Sequence, residues 1–352
     1  MSLAYSDLTA PVTGKQASYE AVFIHSGWRS AGTWVWNEFR THAQVMAFYE
    51  PLHEALGGVT LESLPQISVD SWNSRHSLSR PYFEEFAPLL GRGRRGVAGY
   101  DRSFAFDRFF SAPNEPAHKL FAYLSRLLLL AHGSGKIPVL KFCRSLGRVA
   151  WMRSHFPQAL HLGVLRDPLA QWISAYRLAE SGNRYFLAAP LAILVQHQRD
   201  ARVATALSTL ELRLSSLRQN AFEKTYGECD GFVVSATLQA LYRSFVAFWL
   251  VTACTSLPYV DETIDSDVIG ASPLYRQQLQ DNLMEKTGID VDLGAARIVP
   301  AGRQDCELRS INVESVHADA SRALDLLLRE ADWPNPGTTA AAIRRKLEEP
   351  RS

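Results

Sequence analysis

Three short runs in this sequence hold residue types whose spacing could do chemistry. The first, Gly27-Trp28-Arg29-Ser30-Ala31-Gly32-Thr33-Trp34, follows an apolar, β-forming run from Ala21 to His25 and leads into a helical pattern from Thr33 to His42. A strand, a turn of small residues and a helix start make an anion site, because backbone N–H groups and the positive end of the helix dipole converge there. Gly27 and Gly32 stand at the spacing of the glycines in the nucleotide loop G-x-x-x-x-G-K-[ST]. The rest of that pattern is absent. Thr33 stands where a Lys must reach the β- and γ-phosphates, and Trp34 where a hydroxyl must hold Mg²⁺, while the cation moves forward to Arg29. The loop suits an anion but lacks the equipment for a metal-bound triphosphate, which argues against NTP hydrolysis.

The second run is Leu165-Arg166-Asp167-Pro168, with Ser174 eight residues after Arg166. Arg166 closes a predicted strand, Leu160 to Leu165, at the end where open α/β sheets bind ligands. Pro168 can occupy the first helical position after it. A guanidinium fork and a hydroxyl two turns into that helix would together suit a second phosphate. The third run, Phe48-Tyr49-Glu50-Pro51-Leu52-His53, ends another strand, Val45 to Glu50, so the Glu50 carboxylate should open toward the same edge as the anion loop. Glu50 is the candidate base and His53 its rival, since an unperturbed imidazole titrates near neutrality. Lys141 and Arg144, in Val139-Leu140-Lys141-Phe142-Cys143-Arg144, end a further strand, Ile137 to Phe142, with two cations.

Together these runs resemble the sulfotransferases that use 3′-phosphoadenosine 5′-phosphosulfate (PAPS). In that family's 5′-phosphosulfate loop a Lys or Arg is followed by small residues, Thr or Ser, and an aromatic; Arg29, Ser30, Ala31, Gly32, Thr33 and Trp34 fill those places in order. The Arg in first place and the Ala-Gly-Thr run are variants of the glycan-modifying branch. The resemblance implies that Thr33 bonds the 5′-phosphate, that Trp34 stacks on adenine, and that Arg166 and Ser174 hold the 3′-phosphate. Glu50-Pro51-Leu52 resembles an element of glycan 6-O-sulfotransferases, and Lys141 and Arg144 resemble cations at the same junction in that branch. The implied chemistry is sulfuryl transfer to a hydroxyl. Glu50 or His53 would take its proton, Arg29 would contact the transferring group, and Lys141 would contact the leaving phosphate or the acceptor. Arg144 would contact an acidic or sugar acceptor. Ala301-Gly302-Arg303 is the local candidate for the basic loop that closes over the 3′-phosphate, although it lacks the familiar Arg-Lys-Gly run. The implied acceptor is a glycan or glycolipid. A small natural product, a P-loop-type kinase reaction and a module that binds nucleotide without chemistry stand as alternatives.

The elements that must position these residues alternate strand and helix as far as about residue 185, which argues for a central parallel sheet. The expected fold is α/β, a P-loop-like three-layer arrangement with helices on both faces of the sheet and a mostly helical C-terminal half. A late strand is expected near Leu257 to Asp261. The expected organisation is an extension at 1–18, one domain at 19–335 and a mobile tail at 336–352, with acceptor-side insertions at 57–118 and 178–230. Aromatics and arginines in the first insertion, among them Trp72, Tyr82, Tyr100, Phe106, Arg75 and Arg102, would suit a sugar.

A formal net charge of +1 over 352 residues gives no global field toward nucleic acid or an anionic membrane. Cys143, Cys229, Cys254 and Cys306 show neither CxxC pairing nor metal-ligand spacing, so reduced buried thiols and no metal are expected. The uncharged run from Ser244 to Val260 is 17 residues long, short of the ~20 that span a bilayer, and reads as a core helix. With no signal-peptide pattern at the N-terminus, the expected compartment is the cytoplasm.

Overall fold

The computed structural model describes residues 18–67, 80–296, 310–330 and 333–348. Strands β1 (Ala21–Ser26), β2 (Val45–Tyr49), β3 (Ile137–Phe142), β4 (Ala159–Leu165) and β5 (Glu262–Asp265) form one sheet in the order β2-β3-β1-β4-β5. Every pairing is parallel. All residues of β1 and β4 are buried, as parallel strands covered by helices on both faces must be, and this is why they read as continuous apolar runs rather than alternating ones. The carboxyl ends of β1, β2, β3 and β4 lie along one edge. The chain leaves them through Gly27, Glu50, Cys143 and Arg166 respectively, so this parallel order brings together three runs that are far apart in sequence.

Helices α1 (Gly32–Arg40), α2 (His118–Gly133) and α3 (Val149–His155) connect the first four strands. The chain continues through α4 (Pro168–Glu180), α5 (Tyr185–Gln196), α6 (Ala201–Thr209), α7 (Phe222–Ser235) and α8 (Leu238–Ser256). After β5 come α9 (Ser266–Ala271), α10 (Pro273–Thr287), α11 (Val313–Glu330) and α12 (Pro336–Glu348). Local chemistry sets several boundaries. Pro168 opens α4 and the Asp167 carboxylate accepts from Ala170 N at 2.7 Å; Thr237 caps α8 in the same way. Gly288 ends α10 with φ of 69°, a left-handed cap that glycine adopts without a Cβ penalty. One core surrounds the sheet, with Trp36 and Phe39 of α1 packed among its side chains. A second core joins α4, α5, α6, α8 and α11.

Two expectations change. Leu257–Tyr259 is a 3₁₀ turn and the last strand begins later, at Glu262; Pro258 has no N–H for a ladder and its fixed φ suits a turn. The expected mobile tail contains α12, because Ala340, Ile343 and Leu347 recur at helical spacing and are buried. Within 178–230, α5 is apolar on every side and buried from Leu187 to Val195. The apolar run after Ser244 forms the buried part of α8, inside the helical layer. Cys143, Cys229 and Cys254 are free and buried. Cys306, Trp72, Arg75 and the Ala301-Gly302-Arg303 run lie outside the described residues.

Candidate functional site

The loop after β1 is held by unusual backbone. Arg29 and Ala31 adopt φ of 65° and 74°, a left-handed region that costs non-glycine residues energy and clusters at ligand sites. Ser30 closes the turn, its hydroxyl donating to the Gly27 carbonyl at 2.8 Å. Its side chain is therefore structural. A Cβ on Gly32 would sit 2.3 Å from Ser26 Oγ and 3.3 Å from Lys141 Cε, so only glycine lets α1 start this close to β1 and β3. Ala31 occupies the cap position of α1 and no side chain caps that end, which leaves its first amides for an anion. Thr33 is buried with its hydroxyl 3.3 Å from Tyr49 OH. Trp34 is half-buried against the sheet core.

The second run joins the first directly. Arg29 Nε donates to Ser174 Oγ at 3.1 Å, and Arg166 Nη1 donates to the Arg29 carbonyl at 2.8 Å. Gln171 of α4 holds the same loop, donating to the Trp28 carbonyl at 2.7 Å. Arg166 Nε lies 3.9 Å from Asp267 Oδ1, and the carboxylate of its neighbour Asp167 caps α4. Burial lowers the Arg166 pKa, with Asp267 and Asp167 opposing. A guanidinium whose burial penalises its charge favours an added anion.

Glu50 lies at the centre of a buried ionic cluster, with only 2% of its surface exposed. Its φ of 45° turns the chain sharply out of β2. Lys141 Nζ donates to one carboxylate oxygen at 2.6 Å and Arg144 Nη1 to the other at 3.0 Å. Burial pushes the Glu50 pKa up, but Lys141 and Arg144 outweigh it and hold the carboxyl at about 2. The group is an ionised acceptor with both oxygens engaged. Burial alone would lower the Lys141 pKa, yet the facing Cys143 and Glu50 raise it, so the ammonium stays charged. Its Nζ also reaches Cys143 Sγ at 2.9 Å and sits 4.8 Å from the centre of the Tyr49 ring.

Arg144 is spoken for. Besides Glu50 it faces Glu54 at 2.7 Å and donates to Tyr185 OH at 2.5 Å, with its guanidinium packed near the rings of Trp28 and Phe106. Two carboxylates of the chain, Glu50 and Glu54, thus already face the Arg144 charge that was expected to meet an acidic or sugar acceptor. His53 takes a structural part as well. Its Nδ1 accepts from Ala55 N at 3.1 Å, capping a short turn, and burial, then Arg144, lower its pKa to about 4. With Nδ1 engaged the neutral ring carries its proton on Nε2 and is a donor there.

No family model, curated protein or solved structure matches the chain. Its chemistry must be argued from this constellation.

Two members of the cluster are not among the residues singled out from sequence. Glu54 faces Arg144, and the Tyr185 hydroxyl donates to the other Glu54 oxygen at 3.0 Å. A second acid four residues after Glu50, beyond a Pro-containing turn, was the available signal for Glu54. Tyr185 had none, because only the packing of α5 brings it there. Both residues line a cavity of about 810 Å³ that opens beside the cluster.

Proposed function

We propose that this protein is a sulfotransferase that carries a sulfuryl group from PAPS to a hydroxyl of a carbohydrate or glycoconjugate. The observation that carries the proposal is the direct bond between Arg29 of the anion loop and Ser174 of α4, 145 residues apart in sequence. It makes one continuous anion surface from the uncapped start of α1 to Arg166. A donor with phosphates on both its 5′ and 3′ positions needs such a surface; ATP, with its chain of phosphates at one end and Mg²⁺ bound, does not. The loop has neither the Lys nor the hydroxyl that ATP chemistry uses.

In the reaction, the acceptor oxygen forms a bond to sulfur as the bond from sulfur to the 5′-phosphate oxygen breaks. The acceptor proton passes to Glu50. A carboxylate held near pKa 2 is a weak base. Lys141 must therefore turn from Glu50 toward the departing oxygen, so that one movement stabilises the new charge and returns proton affinity to the carboxylate. Arg29 and the first amides of α1 neutralise the transferring group. By this reading the resting Lys141–Glu50 bond is the cocked state of the site.

Calorimetry with adenosine 3′,5′-bisphosphate and with Mg·ATP tests the reading, together with transfer of ³⁵S from labelled donor to a glycan panel. The bisphosphate should bind at least tenfold more tightly than Mg·ATP. Equal or tighter ATP binding would overturn the proposal.

A further inference from the structure

We propose that the cavity between residues 102–107 and the start of α7 is the acceptor site, that it takes an uncharged polyhydroxyl ligand, and that Tyr185 with Glu54 presents the reacting hydroxyl. Its volume of about 810 Å³ lies within the range of about 300–1,000 Å³ typical of small-ligand sites. The inner end is defined by Glu54 and Tyr185, which bond to each other and face Arg144, itself bonded to Glu50. One side chain, Arg144, thus lies between this lining pair and Glu50. The Tyr185 hydroxyl accepts from Arg144 and donates to Glu54, so its ring edge is fixed at the place where an acceptor oxygen would arrive.

The walls indicate the chemical class of the ligand. Phe106 and Phe222 stack with ring centres 4.0 Å apart and form an apolar shelf. Eleven of the fifteen lining residues carry polar side chains. A flat apolar ligand would strip water from those groups without replacing its hydrogen bonds, which is costly. A sugar ring offers an apolar face to the shelf and hydroxyls to the rest.

The charges argue against an anion. Glu54 and Asp107 lie on the lining, and the Asp107 pKa is raised by burial and then by Glu223 and Asp101, so a further negative group would meet the same repulsion. The lining cations, Arg102 and Arg218, belong to exposed residues or the rim, and Arg102 is paired with Glu223 at 2.8 Å. Arg148 lies behind the wall, donates to the Phe104 carbonyl at 2.9 Å and lines no part of the cavity.

The transfer step rests on the sulfotransferase reading, whereas ligand binding can be measured without it. Labelled wild-type protein on an array of neutral, uronate-bearing and sialylated glycans should bind neutral members alone. The Phe222→Ala variant should lose at least tenfold in that binding and keep its affinity for adenosine 3′,5′-bisphosphate. Tyr185→Phe should bind the array as wild type does, while its kcat for ³⁵S transfer falls at least tenfold with KM little changed. Preference for acidic glycans, a silent array with bisphosphate binding intact, or binding indifferent to Phe222→Ala would each overturn the acceptor assignment. Equal losses in Tyr185→Phe kcat and array binding would overturn the positioning role. Neutral-glycan binding without any ³⁵S transfer would instead count against the sulfotransferase reading and leave the cavity assignment standing.

Discussion

At the scale of single residues, Arg29 and Glu50 differ in what their loss should do. Arg29 lies on a half-buried loop, and its Nε donates to Ser174 Oγ. Arg29→Ala removes a preorganised donor of the anion loop. Turnover should fall by about 10²–10³, while the urea midpoint moves little; a large loss of stability would show that the loop depends on Arg29 for its fold. Glu50 is different because two cations depend on it. Glu50→Gln leaves the Lys141 ammonium buried without its carboxylate, and breaking one side of such a pair typically costs about 3–5 kcal/mol. That variant should lose stability as well as activity. Adding Lys141→Met removes the orphaned charge, so the double variant should regain a large part of the stability and none of the activity. If the double variant is no more stable than Glu50→Gln in urea denaturation, the ionic pair is not what holds this corner together.

At the scale of elements, the fold was legible where a run had one dominant cause. The buried strands announced themselves as apolar runs, Pro168 marked the start of α4, and the uncharged stretch read as a core helix forms the buried part of α8. The late strand was misplaced because Pro258 lies between two β-forming runs, and composition alone could not say which side would pair. The positions of the loop after β1 and of Arg166 were legible because each sits at a strand–helix junction, and that of Ser174 because Pro168 fixes the start of the helix that carries it. Glu54, Tyr185 and the fate of Arg144 were not, since they depend on how α5 packs against the edge of the sheet. The junction of β4 and α4 carries its own prediction. If Arg166 reads a 3′-phosphate, wild-type protein should bind adenosine 3′,5′-bisphosphate much more tightly than AMP, and Arg166→Ala should erase most of that preference while leaving AMP affinity nearly unchanged. Calorimetry with both ligands decides it, and a preference undiminished in the variant would place the 3′-phosphate elsewhere.

At the scale of the whole molecule, the centre of the sheet links the fold to pH. His25 of β1 and His161 of β4 lie side by side in the core, fully buried. His161 Nε2 lies 3.3 Å from the Phe156 carbonyl, His25 Nε2 lies 3.0 Å from His161 Nδ1, and Ser145 Oγ lies 2.7 Å from His25 Nδ1. Because a carbonyl can only accept, the chain of bonds has one direction: Ser145 donates to His25, His25 to His161, and His161 to Phe156. Both rings must be neutral to keep it. Burial lowers both pKa values, that of His161 to about 4, with the neighbouring His161 adding to the effect on His25. In the unfolded chain these rings protonate near 6.5, so between about pH 6.5 and 4 the unfolded state binds more protons and stability falls as pH falls. Glu50 acts in the same direction at lower pH: its ion pairs contribute fully above its unfolded value of about 4.5, and that contribution is lost as pH drops toward about 2. Urea midpoints should therefore decline from pH 7 to 5, before carboxylates titrate, and more steeply below 4.5. His161→Gln lowers stability at pH 7 by disturbing the chain of bonds, but it also removes one titrating ring, so its decline between pH 6.5 and 4.5 should be shallower than that of the wild type, the remainder coming from His25 and the buried His53. An equal slope in both proteins would mean that the acid sensitivity arises elsewhere than in the histidine pair beneath the anion loop.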